Sequence, residues 1–208
     1  MGTDKKEHII NTAIELFAVK GFEGTSIRDL AAAAGVNIAM INYYFGSKEK
    51  LFESMVEEKA AYTRIELTEI MSNTSLNAAG KIDRIVEGFV ERLFRNRHFH
   101  RVIHQELMLG DRQAMQDMIV NILYPNSQLI KQILLDGIAS GEFNKVDVEL
   151  TVATLIGTIN YLLQSKKFCL KILDETETYV PYEDEEFKTR VKTHLKAVLH
   201  IHLVHQPK

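Results

Sequence analysis

Apolar residues recur at three- and four-residue spacing along nearly the whole chain, and no stretch alternates strongly enough to argue for a strand. The pattern predicts an all-α protein of about nine helices. Residues 5–20 place Ile9, Ile10, Ala13, Ile14 and Phe17 on one face and stop at Gly21, a residue suited to the left-handed conformation that closes helices. Ser26, with Asp29 three residues on, precedes Ile27, Leu30, Ala31 and Ala34, which predicts a second helix over 26–34 with a reciprocal cap at its start. Gly35 ends it. A third helix over 37–43 is entered through Asn37, a good cap, and is too short to be stable alone. The fourth runs over 47–70 from Ser47, carrying Leu51, Phe52, Met55, Val56, Tyr62, Ile65 and Leu67.

Beyond the polar loop "SNTSLNAAG" (72–80), helices are predicted over 80–95, 98–109 and 111–140. The last of these contains Pro125, where a bend is expected because proline has no backbone N–H to donate. Two more, 146–168 and 183–205, flank the acidic connector "DETETYVPYEDEE". In the final helix Phe187, Val191, Leu195, Val198 and His202 form a narrow stripe of the kind that packs on a partner helix. There is no internal repeat.

Composition narrows the class. A chain of 208 residues, 46% hydrophobic and 25% charged, is ordinary globular material. The single cysteine, Cys169, permits no intramolecular disulfide; a buried thiol and a reducing compartment are expected. No run of about 18 apolar residues exists, and the start carries acids where a signal peptide needs a basic region. A cytoplasmic protein without a membrane partner is the expectation. The formal net charge of −3 argues against nucleic-acid binding by bulk positive charge. Within residues 1–50, Lys5, Lys6, Lys20, Arg28, Lys48 and Lys50 are balanced by Asp4, Glu7, Glu15, Glu23, Asp29 and Glu49. Any anion held there must be held by placement.

Two helices joined by a tight turn at Gly35, the second short and rich in polar and aromatic groups, form a helix-turn-helix pattern. A recognition helix of about seven residues is roughly 10 Å long, comparable with the roughly 12 Å major groove. Asn37, Ile38, Ala39, Met40 and Asn42 would offer amides and apolar groups to base edges, with Asn37 equally suited to simple capping. The starts of the helices at Ser26, Asn37 and Ser47 present backbone N–H groups to phosphates. Phe45 reads as core. Tyr43 and Tyr44 are adjacent where no single helix face buries both.

The segment "IINTAIELFAVKGFEGTSIRDLAAAAGV" followed by "NIAMINYYFGSKEKLF" resembles the DNA-binding domain of the TetR family of bacterial transcriptional regulators. The succession Gly21-Phe22, Thr25-Ser26, Arg28-Asp29, Ala34-Gly35-Val36, Tyr44-Phe45 and Ser47-Lys48-Glu49 carries the likeness. The resemblance implies a DNA-binding domain over 1–50 and a helical effector-binding and dimerisation domain over 51–208. It implies that Thr25, Ser26 and Arg28 touch phosphate or adjacent bases, that Lys48 contacts phosphate, and that Tyr43 and Tyr44 meet the DNA backbone. Many members have tyrosine where this chain has Asn42; the departure exchanges a phosphate contact for base-reading capacity.

The resemblance also implies a small-molecule effector, of unknown identity, and a homodimer on a near-palindromic double-stranded operator, acting as a repressor. Tyr62, His104, Met108, Asn121 and Asn160 are the candidate effector-binding residues. Met108, Met115 and Met118 with Leu107, Phe99, Ile103 and Ile119 fit an adaptable cavity or a plain core, the core being favoured. Arg95, Arg97, His98, His100, Arg101 and His104 could meet an anionic effector. The four-residue spacing of His100 and His104 suits a metal, but no carboxylate or cysteine completes a set, so none is expected; "HIHLVH" (200–205) reads the same way. For the dimer interface the candidates are Val152, Leu155, Ile156, Gly157, Ile159 and Leu163 with Val191, Leu195, Val198 and His202.

An enzyme is not expected: the chain has no Gly-rich phosphate loop, nucleophile elbow or carboxylate–histidine metal set, and no cofactor is implied. The alternative reading is a helical adaptor whose trihelical head binds a protein partner.

Overall fold

The computed structural model describes the backbone of residues 2–110, 112–164 and 166–204, and the side chains of these except 2–4, 159 and 162–164. Among the described residues every regular element is helical: α1 (Gly2–Lys20), α2 (Ile27–Ala33), α3 (Ile38–Phe45), α4 (Lys48–Ser72), α5 (Ala78–Arg95), α6 (Arg97–Met108), α7 (Gln113–Ala139), α8 (Val148–Gln164), α9 (Lys166–Ile172) and α10 (Glu185–Leu203), with a 3-10 turn at Pro181–Glu183. The count exceeds nine because the predicted 146–168 element covers α8 and the start of α9, with residue 165 outside the described residues. The predicted helix start at 111 also lies outside them. None of the described helices is long and apolar enough to cross a membrane.

Packing divides the chain into two compact units, Met1–Tyr62 with His98–Leu123, and Thr63–Arg97 with Tyr124–Lys208. The division expected at residue 50 followed the DNA-binding motif. Packing differs from it for two reasons: α4 runs unbroken from Lys48 to Ser72, and Phe99, Val102, Ile103 and Ile119 of α6 and α7 complete the first unit's core.

In that first unit, the apolar face of α1 meets α2, α3 and the start of α4. Phe17, Phe22 and Phe52 form a trio with ring centroids 5.3 to 5.7 Å apart, a separation at which aromatic rings attract beyond simple burial. Met115 and Met118 lie partly buried against the same core, whereas Leu107 and Met108 are exposed. Gly21, at φ +75°, donates its amide to the Phe17 carbonyl at 2.8 Å and turns the chain out of α1. Gly35, at φ +63°, makes the corner between α2 and α3.

In the second unit α5 and α10 run antiparallel. Phe187, Val191, Leu195, Leu199 and Leu203 are buried at every fourth residue of α10, and Ile82, Val86 and Val90 repeat at the same interval on α5. One residue on from the apolar row of α10 comes a basic one. Lys188 meets Glu91 at 3.3 Å, Lys192 also meets Glu91, Lys196 meets Glu87 at 2.6 Å and His200 meets Asp83 at 2.9 Å. Part of the stripe expected to serve a partner helix is therefore used within the chain: Phe187, Val191 and Leu195 are buried here, as is Leu155 of α8, while Val198 and His202 stay exposed.

Gly88 lies beneath a charge pair. A Cβ there would strike the Glu66 carboxylate and come within 2.9 Å of Arg92 Nη1, and these two side chains form an ion pair with Arg92 buried. Gly137 admits the ring of Phe143, which a Cβ would displace. At the ends of α10, Asp184 Oδ1 accepts from the amides of Glu186 and Phe187 at 2.8 and 3.1 Å, and the Asn144 amide donates to the Leu203 carbonyl at 2.7 Å. Cys169 is buried, which pushes its thiol up.

Candidate nucleic-acid interface

Helix α3 divides its residues between two faces four residues apart in period. Met40, Ile41, Tyr44 and Phe45 turn inward, Ile41 and Phe45 fully into the first unit's core. Ile38 (40% exposed), Ala39, Asn42 and Tyr43 (84% exposed) turn outward. The adjacent tyrosines are thus split by the helix: Tyr44 packs on the core and Tyr43 stands in solvent, their rings edge to face at 5.3 Å. Met40, expected at base edges, packs inward because it lies 100° from Ala39 and beside Ile41.

Several residues expected at DNA are held by the head itself. Thr25 is 1% exposed, and its hydroxyl donates to the Gly21 carbonyl at 2.8 Å, so its side chain fastens the α1–α2 turn and is withdrawn from phosphate. The Ser26 hydroxyl accepts from the Asp29 amide at 3.1 Å and donates to the Asp29 carboxylate at 2.6 Å, while the Ser26 amide donates to the same carboxylate at 2.9 Å. Both halves of the predicted capping box are present. These bonds from Ser26, with one from Lys20, hold the exposed Asp29 carboxyl down at about 2. The start of α2 therefore already carries a carboxylate. Asn37 Oδ1 accepts from the Met40 amide at 2.8 Å, which realises its capping role.

Lys48 shows the largest departure from expectation. Its Nζ donates to the carbonyls of Phe22 and Thr25, each at 3.0 Å, and lies 4.1 Å from the centroid of the Phe22 ring. The ammonium binds the start of α4 to the α1–α2 turn. A second cation, Arg112, has its guanidinium carbon 5.7 Å from the same ring and pairs with buried Glu106 at 2.7 Å and with Glu23 at 3.6 Å. Sequence reasoning missed Arg112, Glu106 and Glu23, since nothing local ties residues so distant in the chain. A buried Glu106 could be suspected only from its place on the apolar face of α6, between Val102, Ile103 and the helix end.

Of the residues expected to touch DNA, Ser26, Arg28, Asn37, Ile38, Ala39, Asn42 and Tyr43 are exposed, Ser26 and Asn37 while capping their own helices. Among the effector candidates, Tyr62 (59%), Met108 (73%) and Asn121 are exposed on the first unit and His104 is half-buried in it, while Asn160 is half-buried in the second. His98 pairs with Glu15 of α1, and no group of three or more His, Cys, Asp or Glu suited to a metal occurs among the described residues. Of the interface candidates, Val152 and Ile156 are half-buried and Gly157, Val198 and His202 exposed; the side chains of Ile159 and Leu163, like all of His205, lie outside the described residues.

A trihelical head with a short second motif helix, its polar face turned out, defines the class of helix-turn-helix DNA-binding transcriptional regulators. Residues 9–55 match the family described as bacterial regulatory proteins, tetR family, and residues 56–180 match the YsiA-like protein, C-terminal region. The chain belongs to the TetR family. It is 27% identical over 178 residues to the fatty acid metabolism regulator protein of Bacillus subtilis, covering 83% of this chain and 91% of that one. Over the head alone it is 44% identical across 52 residues to the transcriptional repressor NicS of Pseudomonas putida, 25% of this chain and 24% of that one. Its fold is shared with FadR from Bacillus subtilis, solved in complex with stearoyl-CoA, at a TM-score of 0.70 and 23% identity over 92% of this chain and 97% of that one.

Proposed function

We propose that the chain is a homodimeric repressor that holds a near-palindromic operator and is released by a small molecule bound among its C-terminal helices. The outward set on α3 carries this reading, since a helix that presents an amide, methyl groups and a phenol away from its own core has a face shaped for the major groove. Two such helices, related by a two-fold axis, fit half-sites about one helical turn, roughly 34 Å, or a multiple apart.

The dimer is assigned to the outward faces of α8 and α10. Leu150, Tyr161, Val198 and Ile201 are exposed there, an apolar set that a lone chain would leave in water. Gly157 supports the same face: it sits mid-helix, where glycine weakens a helix by about 1 kcal/mol relative to alanine, and a Cβ there would meet nothing within 4 Å among the described residues, so close approach of a second protomer is the reason we assign to it. For the effector, the relationship to a fatty acid metabolism regulator favours an acyl thioester. Titrating stearoyl-CoA, free CoA and stearate into the complex with operator DNA tests this: release by the thioester alone is expected, and release by none of them sinks the effector assignment. The repressor reading fails if the chain binds no duplex from its own gene neighbourhood, or binds as a monomer at micromolar concentration.

A further inference from the structure

The operator itself is partly legible on α3. Each base pair presents a distinct pattern in the major groove: guanine offers two acceptors and is read by an arginine or lysine, cytosine offers a donor and is read by a carboxylate. Adenine offers one acceptor and one donor and is read by an amide using both its atoms, and thymine shows a methyl group. The helix "IAMINYYF" contains no cation and no carboxylate, so it has no charged partner for either member of a G·C pair.

What it does present is specific. Asn42 is exposed, and its amide has no partner among the described residues, so both its oxygen and its nitrogen are available to one adenine. Asn37 is not equivalent: its oxygen is already taken by the Met40 amide at 2.8 Å, which leaves donors only. Ile38 and Ala39 give exposed methyl groups one turn earlier on the same face. From Ile38 to Asn42 the helix rises about 6 Å, close to two base-pair steps of about 3.4 Å. The next cation along the chain, Lys48, is held by the Phe22 and Thr25 carbonyls, and Lys6 lies over the ring of Phe45 at 5.8 Å, on the inward side of α3.

We infer that each operator half-site carries, beneath α3, a short run of A·T pairs in which Asn42 holds an adenine through two hydrogen bonds and Ile38 and Ala39 cover thymine methyls. This rests on the repressor reading above and adds the base identity to it. Tyr43, next to Asn42 and outermost of the set, reaches the phosphate flanking the run. Arg28 lies on α2, outside this code, and guanine contacts beyond the run fall to it.

Selection of full-length protein on a randomised duplex library, followed by anisotropy titrations at fixed salt, tests the assignment. The selected half-sites should share an A·T run. Deoxyuridine in place of one of its covered thymines should weaken binding about fourfold, the worth of one lost methyl contact, and Asn42→Ala should weaken it about tenfold while losing the preference for adenine at one position. Asn42→Arg should move that preference to guanine, and Arg28→Ala should leave the A·T run intact. Both positions are exposed, so the variants fold. Selected half-sites with G·C pairs at the positions altered by Asn42→Arg would overturn the inference while leaving a DNA-binding repressor. An absence of any enriched sequence would overturn both together.

Discussion

Phe22 is the residue on which the head closes. Its ring touches Phe17 and Phe52 in the core, and the ammonium of Lys48 and the guanidinium of Arg112 both lie near it. Lys48 thus acts first as a tie between α4 and the α1–α2 turn. Lys48→Met, which keeps the length of the side chain and removes the charge, should lower stability by roughly 1–3 kcal/mol, the worth of hydrogen bonds to a charged group. Thermal denaturation reads that loss. The slope of log affinity against log salt decides the role: no change assigns Lys48 to positioning, and a drop of about 0.9 assigns it to a phosphate. Asp29 makes a prediction in pH. Its carboxyl is held at about 2 against an ordinary 3.8, so its folded-state value is depressed, and the stabilisation it gives is complete above the ordinary value and lost only as pH falls toward 2. At pH 3 the cap of α2 should remain formed, as an NMR titration of the Asp29 carboxyl and the Ser26 amide would record.

At the scale of elements, the ends and faces of the first four helices were legible because each carries a local signal: Gly21, the Ser26–Asp29 pair, Asn37 and Ser47 all act where the sequence placed them. The exposed face of α3 was legible too, apart from Met40. What the sequence did not reveal is long-range. Whether Thr25 or Lys48 faces DNA or its own fold depends on carbonyls brought close by the tertiary fold, and whether Val191 and Leu195 meet a partner or α5 cannot be told from periodicity, which is the same in both cases. Gly137 is another such position. Its helix gives no reason for a glycine, and the reason is the ring of Phe143. Gly137→Ala should gain about 1 kcal/mol in helix propensity yet lose more to overpacking, typically 1–3 kcal/mol, with a net fall in thermal stability. A rise in melting temperature would show that the ring gives way freely.

At the scale of the whole molecule, a chain of net charge −3 that binds DNA must do so by placed groups, and the proposed dimer would double the few it has. Gly157 separates assembly from folding. A Cβ at Gly157 meets nothing within 4 Å among the described residues, so Gly157→Leu should leave the protomer folded with unchanged or higher stability, while the dimer dissociation constant should rise at least about tenfold if α8 forms the interface. Sedimentation velocity over a dilution series measures it, and an undisturbed dimer would place the interface elsewhere.

The α5–α10 seam has a property of its own that follows from its period. Along the seam the buried row of α10 (Phe187 to Leu203) and its basic row (Lys188 to His200) each recur at every fourth residue, and α5 repeats at the same interval. A slide of α10 by one such step, about 6 Å, would again set apolar groups on apolar groups and lysines on glutamates. The rows thus give adhesion without phase. Phase comes from the C-terminal end, where the backbone amide of Asn144 clasps the Leu203 carbonyl at 2.7 Å and the Thr151 hydroxyl meets His202 Nε2 at 3.1 Å. These few polar contacts act as pawls on a ratchet, and with them removed the helix would keep its grip and lose its count.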